Sequence, residues 1–156
     1  MISPDYIVGL TDGEGCFYVL IKSPLNKWGG GQVVLSFFIK VQECDKIVLD
    51  KVRDALGCGA VYFQPEGREN HTNCYRYTVS SHSAILNVII PFFLKYRLQT
   101  ASKSKNFELF CQIAELVRNG AHHSKSGLDQ IRLIKSQMNI RARVVREIRT
   151  LRGNAK

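Results

Sequence analysis

Apolar and polar residues repeat along the chain with two different periods, which divide it into helices and strands. Helical segments place apolar residues three or four positions apart, as Val48 and Val52 show, whereas runs of Val, Ile, Leu and Phe bounded by glycines indicate strands. In chain order, the pattern predicts a helix capped by Ser3 and reaching Gly13, strands over 16–22 and 32–42, a helix over 45–56, strands over 59–64 and 73–79, and a helix over 81–93 that Pro91 bends or ends.

This order of helix, hairpin, helix, hairpin and helix predicts an α+β domain with an αββαββα core and an antiparallel sheet. Further helices are predicted over 107–117, 128–138 and 140–151. The polar segment 119–126 is predicted to be a flexible link. One domain over 1–156 is expected, because a chain of 156 residues with 45% hydrophobic residues can bury a core. We place that core at about 3–117 and the basic C-terminal helices at about 128–152.

The charge of the chain favours a polyanionic partner. There are 22 Lys and Arg against 13 Asp and Glu, a formal net charge of +9. Residues 121–156 hold nine of the basic and two of the acidic residues, which gives +7, so the preceding residues carry only +2. Nucleic acid and an anionic membrane surface both fit such a surplus. Nucleic acid is favoured, because the apolar residues among these arginines can cover a core and no strong aromatic membrane anchor is present.

The cysteines and histidines indicate no metal site. The five cysteines are widely spaced and form no C-x-x-C pair, and the four histidines have no zinc-binding spacing. They fit the reduced thiols of an intracellular protein. The longest apolar run, 84–94, is interrupted by Asn87 and Pro91 and is too short to span a bilayer, and the chain does not open with a targeting segment. We therefore expect a soluble protein with no membrane partner and no small-molecule substrate.

The start of the chain carries the strongest chemical signal, because a helical pattern runs directly into two acids among glycines. Asp12 and Glu14 arrive at a helix end, and Gly9 and Gly13 lie four residues apart on one side of that helix. Each glycine costs a helix about 1 kcal/mol relative to alanine, so this side suggests the close approach of a second copy of the helix. Asp12-Gly13 is also a hairpin signal, whereas a calcium loop is excluded because Cys16 stands where an oxygen ligand should be.

Alternation along the predicted strands separates an inner face from an outer face. The residues expected inside on the second strand are Val33, Leu35, Phe37, Ile39 and Val41. The outward residues predicted to contact DNA are Tyr18, Leu20, Lys22, Gln32, Ser36, Phe38, Lys40, Tyr62, Gln64, Arg76 and Thr78, and Val34 and Cys74 share their side. A two-stranded ribbon fits the major groove, where Gln can pair with adenine and Arg with guanine. A merely solvated sheet face would carry fewer Phe, Leu and Tyr residues.

The segment Val8-Gly9-Leu10-Thr11-Asp12-Gly13-Glu14-Gly15 resembles the signature motif of the LAGLIDADG homing endonucleases. The resemblance covers residues 3–117 and extends more weakly beyond them. It implies a site-specific DNA endonuclease that makes double-strand breaks at a long, nearly palindromic target, as in intron homing, by metal-dependent hydrolysis of phosphodiester bonds. Because the motif occurs once, the resemblance implies a homodimer whose interface includes Tyr6, Gly9, Asp12 and Gly13.

The resemblance also assigns the metal. Glu14 is expected to bind Mg²⁺, with the carbonyl of Gly13 beside it. One acid for each subunit suffices, because Mg²⁺ keeps several waters and takes further oxygen ligands from phosphate. Mn²⁺ is expected to substitute for Mg²⁺, and Ca²⁺ to support DNA binding without cleavage.

Two further residues are assigned to the catalytic site by the same resemblance. Lys103 best matches the lysine that precedes a later helix, with Arg97 and Lys105 as rivals because the spacing is ambiguous. Gln42 is assigned the polar role beside the attacking water, although strict alternation puts Val41 where some relatives have glutamine.

Other functions remain open at the level of sequence. A non-cleaving nucleic-acid binder on the same fold, such as an intron-splicing maturase or a transcription factor, is the main alternative, although it would gain nothing from a carboxylate placed against phosphate. A basic helical module that binds a membrane surface or a protein would leave the outward Gln, Tyr and Arg residues unexplained. The expected location is intracellular, in a mitochondrion, a chloroplast or a prokaryotic cytoplasm, which the sequence does not distinguish.

Overall fold

The computed structural model describes residues 2–22, 30–67 and 71–138. Its helices and strands are α1 (Pro4–Glu14), β1 (Gly15–Ile21), β2 (Val33–Gln42), α2 (Lys46–Leu56), β3 (Ala60–Gln64), β4 (Cys74–Val79), α3 (His82–Ala84), α4 (Ile90–Lys95), α5 (Ala101–Arg118) and α6 (Lys125–Ser136). A π-helical segment, Ile85–Ile89, joins α3 to α4, and 3₁₀ turns lie at Glu43–Asp45 and Ala121–His123. The predicted α+β class and the αββαββα order are confirmed.

The four strands form one antiparallel sheet in the order β1-β2-β4-β3. Phe17 pairs with Phe37, which in turn pairs with Val79, so these three residues share the inner face of the sheet. Of the five residues predicted inside on β2, Leu35, Phe37 and Ile39 are buried, while Val33 and Val41 near the strand ends are half-buried. The alternation of β2 is therefore confirmed along its middle.

An aromatic cluster on the inner face holds the helices against the sheet. The centroid of the Phe17 ring lies between 5.0 and 5.4 Å from the ring centroids of Phe37, Phe93, Phe107 and Phe110. Ring pairs at such distances contribute about 0.5–1.5 kcal/mol each beyond the area that they bury. Because Phe17 lies on β1 and two of its neighbours lie on α5, the cluster fixes α5 beside the strand that follows α1.

Two helices differ from the sequence prediction. The helix containing Phe107 begins at Ala101 rather than at 107, because residues 101–106 are polar and show no apolar period. Pro91 does not end its helix, which continues to Lys95. The turn before the proline is π-helical, and the N–H of Ile90 donates to the carbonyl of Ile85, five residues back. This wider turn accommodates a residue that has no N–H of its own to donate.

The segment 119–126 is also more ordered than the flexible link that was predicted. It contains the 3₁₀ turn and the start of α6, and the N–H of Gly31 donates to the carbonyl of His122 at 3.0 Å. The helix predicted over 140–151 lies outside the described residues. Within the parts of the chain that are described, the helices are too short or too polar to cross a membrane.

Candidate active site and nucleic-acid interface

The end of α1 passes into β1 without a linker. Glu14 is the last residue of the helix, and Gly15 already has the extended conformation, with ψ of 156°, while its N–H donates to the carbonyl of Thr11. A Cβ atom added to Gly15 would lie 2.6 Å from Cγ2 and 2.8 Å from Cα of Thr11, so only glycine fits this tight junction. The junction holds Glu14 at the point where the helix meets the sheet.

The carboxylate of Glu14 is exposed and available. Among the described residues it accepts no hydrogen bond and forms no ion pair, and it stands at the C-terminal end of α1, which is the negative end of the helix dipole. An acid is unfavourable at that end by a few tenths of a kcal/mol or more, unless a cation is bound there. A carboxylate next to free carbonyl groups of the last helical turn is a hard oxygen donor set that suits Mg²⁺. In the described residues, no cluster of three His, Cys, Asp or Glu side chains offers another metal site.

Lys103 is the basic residue that the structure brings to this junction. It lies in the first turns of α5, is half-buried, and its ammonium group donates to the carbonyl of Gly15, directly after Glu14. The rivals lie elsewhere. Lys105 is exposed and its Nζ is 3.8 Å from Oε2 of Glu108, and Arg97 lines a groove beside the first half of α1.

Gln42 is not beside Gly15. It is the exposed last residue of β2, whereas Gly15 pairs with Ile39, three residues earlier. At the rise of a strand, three residues amount to about 10 Å. Gln42 lies at the same end of the sheet as Glu14, but the structure does not place it in contact with the junction.

The outward residues of the strands form rows across the sheet, which we call the outer face. One row joins Cys16, Phe38 and Thr78, and the next joins Lys40, Arg76 and Tyr62. A third row joins Gln42, Cys74 and Gln64, and towards the other end Tyr18 pairs with Ser36 and Leu20 with Val34. The strand residues predicted to contact DNA therefore share one side of the sheet. Lys22 and Gln32 lie just beyond the strand ends, where the N–H of Lys22 donates to the carbonyl of Gln32 at 2.9 Å.

Arg76 is supported by an aromatic ring on the outer face. Its guanidinium carbon lies 4.0 Å from the centroid of the Phe38 ring, and the Phe38 ring in turn lies 6.3 Å from that of Tyr18. The guanidinium has no acidic partner in the described part of the chain. Lys40, which lies opposite Arg76 on the neighbouring strand, has none there either. Described ion pairs instead join residues within helices. The outer face thus presents uncompensated positive charge.

Ser36 and Cys16 of the outer face are both at least partly buried. Ser36 is only 9% exposed and its hydroxyl lies 3.0 Å from that of Ser80, so it is not the open polar tip that alternation predicted. Burial raises the pKa of the Cys16 thiol, and the charges of Lys103 and Arg76 oppose that rise. The same neighbourhood is seen in the contacts: Lys103 bonds to Gly15, and Arg76 stacks on Phe38, which pairs with Cys16, the residue after Gly15.

On the solvent side of α1, Tyr6, Gly9 and Gly13 are exposed, and we call this surface the glycine face. A Cβ atom added to Gly9 or Gly13 would meet no atom of the described residues within 4 Å. Tyr6 keeps 51% of its surface exposed although it is a large side chain. Contacts within the described part of the chain therefore do not require glycine at these two positions. Asp12, by contrast, is bonded to the segment before α5 within its own chain.

A family model described as LAGLIDADG endonuclease matches residues 7–114, which include most of α1, all four strands and Lys103. The chain belongs to the LAGLIDADG endonuclease family. It is similar to "Probable intron-encoded endonuclease 2" of Neurospora crassa, with 31% identity over 142 residues, and to "Uncharacterized 50.9 kDa protein in ND4 intron 1" of Podospora anserina, with 33% identity over 127 residues. These alignments cover 88% and 80% of this chain but only 29% and 26% of the relatives. The chain thus spans less than a third of their length.

Solved structures of the family share the fold. The homing endonuclease I-TnaI has a TM-score of 0.76 and 36% identity, and the match covers 88% of each chain. The meganuclease I-SmaMI, bound to uncleaveable DNA, has a TM-score of 0.76 and 29% identity, with 88% of this chain matched to 45% of that one. Another I-SmaMI structure holds its uncleaved DNA target in the presence of calcium ions, with a TM-score of 0.77.

Sequence reasoning missed Thr100 and the contact between Phe38 and Arg76. Thr100 is the N-cap of α5, and a threonine followed by a helix-compatible segment is a local signal that could have placed the helix start there. Phe38 was predicted to contact DNA, and no pattern in the sequence indicated that its ring would lie under Arg76. That contact depends on the pairing of β2 with β4, which is a long-range feature.

Proposed function

We propose that this chain is the DNA-cleaving unit of a site-specific homing endonuclease, which makes double-strand breaks by metal-dependent hydrolysis at a long, nearly palindromic target. One observation carries the proposal. Glu14, whose carboxylate is free among the described residues, directly precedes Gly15, and the carbonyl of Gly15 accepts a hydrogen bond from the ammonium group of Lys103, next to a cationic sheet face. The DNA held by the related I-SmaMI supports the same class of partner.

The charges at the junction support cleavage rather than binding alone. A bare carboxylate near a phosphate is repelled by several tenths of a kcal/mol or more, depending on the local dielectric. A protein that only bound DNA would gain from a neutral or basic residue at position 14. Glu14 would become favourable if it held a divalent cation, so a free acid directly before the residue that Lys103 contacts supports metal-assisted hydrolysis.

We assign roles to the residues of the chain accordingly. Glu14, with the Gly13 carbonyl, would hold Mg²⁺ or Mn²⁺, and Lys103 would neutralise charge that develops on the phosphate. When bound, the divalent cation supplies charge stabilisation at phosphate oxygens and a more acidic water. The outer face would bind the major groove, with Arg76 aimed at guanine and Lys22 and Lys40 at phosphates. Gln42 remains a proposal for orienting the attacking water from the same end of the sheet.

The glycine face supports a homodimer. Two helices can approach closely where glycine replaces larger side chains, and a two-fold axis through such a contact would bring two Glu14 residues towards the centre of the target. Each subunit would then address one DNA strand. A two-fold protein would read related sequences on both sides of the centre, which is the physical basis for the nearly palindromic target.

The decisive test is Glu14→Gln, which keeps the shape of the side chain and removes its charge. Cleavage of target DNA in Mg²⁺ should fall to background, while binding measured by gel shift in Ca²⁺ should be unchanged or slightly tighter, because repulsion of phosphate is removed. Glu108→Gln is the matched control, since Glu108 is an exposed acid of α5. It makes the same chemical change away from the junction and should cleave normally.

Each outcome of this test is informative. If Glu14→Gln protein cuts at the unmodified rate, the motif has been misassigned and cleavage occurs elsewhere. If the unmodified protein binds its target but never cuts it in Mg²⁺ or Mn²⁺, the chain is a non-cleaving binder on the same fold. The target itself can be sought at the exon junction that flanks the gene, because we propose an intron as its setting, as named for the relatives from Neurospora crassa and Podospora anserina.

A further inference from the structure

The carboxylate of Asp12 is fully engaged by the segment that leads into α5. Oδ2 accepts a hydrogen bond from the N–H of Gln99 at 2.8 Å, and Oδ1 accepts bonds from the N–H of Thr100 at 3.2 Å and from its hydroxyl at 2.8 Å. Thr100 is the N-cap of α5, yet its own side chain makes no capping bond to the helix. Asp12 therefore places a negative charge at the N-terminus of α5, where the helix dipole favours an anion.

The same helix start carries Lys103, three residues after Thr100. The ammonium group of Lys103 reaches back to the carbonyl of Gly15, so the contacts form a closed path. Asp12 of α1 bonds to Thr100 at the start of α5, and Lys103 of α5 bonds back to Gly15, the residue after Glu14. A lysine side chain has about 2 kcal/mol of rotamer entropy, so its position depends on where its helix is anchored.

We propose that Asp12 is the positioning residue for Lys103: by anchoring the first turn of α5 to the end of α1, it holds the ammonium group beside Glu14. The inference rests on the proposed function, in which Lys103 acts on the phosphate. It differs from the role that the resemblance implied for Asp12, which was contact between the paired helices. Asp12 is instead committed to its own chain by three hydrogen bonds.

A chemical-modification measurement tests the positioning without relying on cleavage. The folded protein is treated briefly with an amine-reactive reagent, and labelling of each lysine is followed by mass spectrometry. In Asp12→Ala protein Lys103 should react several-fold faster than in the unmodified protein, because its helix start is released. Lys105 is the internal control, since its side chain is 60% exposed and should react at the same rate in both proteins.

A double-mutant cycle tests whether Asp12 acts on the reaction through Lys103. Asp12→Ala alone should slow single-turnover cleavage about 10- to 100-fold, the usual cost of losing a supporting contact, while DNA affinity in Ca²⁺ stays unchanged. In a Lys103→Ala background the same substitution should have no further effect on the rate. Asp12→Asn keeps one acceptor oxygen and should recover part of the rate.

Ser124→Ala is the matched stability control. Ser124 caps α6 by accepting the N–H of Gly127 at 3.1 Å, so this variant loses a bond at the start of α6 and not the bonds that join α1 to α5. It should lower the melting temperature about as much as Asp12→Ala does and leave cleavage unchanged.

Three results would overturn the inference. The first is unchanged labelling of Lys103 in Asp12→Ala protein, and the second is an equal loss of cleavage rate from Asp12→Ala with and without Lys103→Ala. The third is a shift of Asp12→Ala protein from dimer to monomer on sedimentation, which would mean that Asp12 acts in the contact between paired helices. If the unmodified protein fails to cut DNA but labelling responds as expected, the proposed function fails and the anchoring of Lys103 by Asp12 stands.

Discussion

Replacing Gly9 by alanine should have opposite effects on the folding of the chain and on its self-association. Glycine inside a helix costs about 0.8–1.0 kcal/mol relative to alanine. Because a Cβ atom at Gly9 meets nothing within 4 Å among residues 2–22, 30–67 and 71–138, Gly9→Ala can recover that amount without a clash there. For a domain of about this size, 1 kcal/mol corresponds to a rise of roughly 2–4 °C in the melting temperature of the monomer.

The dimer should respond in the other direction. A second helix that packs on the glycine face would meet the new methyl group, and the two-fold axis would make the substitution count twice. Overpacking of a close contact costs about 1–3 kcal/mol, so each copy of the substitution weakens association by roughly 5- to 150-fold. Gly13→Ala should behave in the same way, because its added Cβ is equally unobstructed in the single chain.

The two effects can be separated by concentration. Thermal unfolding well below the dissociation constant reports the monomer, and sedimentation equilibrium across that constant reports association. Gly15→Ala supplies the contrast, since its Cβ would lie 2.6 Å from the side chain of Thr11 and should lower monomer stability instead. An unmodified protein that stays monomeric at all accessible concentrations, or a dimer that binds equally well with alanine at both positions, would refute the helix pair.

Two further predictions concern DNA. Arg76→Ala and Phe38→Leu should both weaken discrimination of guanine by about 1–3 kcal/mol at one position in each half of the target, because the Phe38 ring supports the Arg76 guanidinium. A base-substitution screen measures this discrimination, and an equal loss of affinity for all sequences would contradict the prediction. Affinity should also fall steeply with salt: if Lys22 and Lys40 contact phosphates in both subunits, the four contacts give a log-log slope of about −4, and a nearly flat titration would exclude phosphate binding by this face.

The sequence predicted those parts of the fold that depend on local patterns. β2 is a long run of Val, Phe and Ile residues, so its alternation placed Leu35, Phe37 and Ile39 correctly. α2 has a clear helical period, and Gly57, whose φ of 68° is left-handed, ends it as predicted. Glu14 could be located at the helix end for the same reason, since both the helix and the following strand are visible in the sequence.

Long-range contacts explain what the sequence did not reveal. The start of α5 is polar and gives no periodic signal, and the carboxylate that anchors it comes from Asp12, 88 residues away. The choice of Lys103 over Lys105 depends on the same helix start, because side chains two residues apart on a helix point about 160° away from one another. Ser36 shows the limit of alternation, which gives the side of a sheet but not whether a neighbour such as Ser80 covers the side chain.

The geometry of α1 explains why Asp12 is hydrogen-bonded to another segment while Glu14 is free. Asp12 and Glu14 are two residues apart, so their side chains leave the helix about 160° from one another. One can therefore reach α5 while the other stays open at the junction with the sheet. Since Asp12 is occupied by Gln99 and Thr100, Glu14 is the one free carboxylate that the described residues of α1 leave at this junction for the proposed metal. Under the proposed function, cutting both strands of a duplex would require two such junctions, and a dimer formed through the glycine face would bring the second one close.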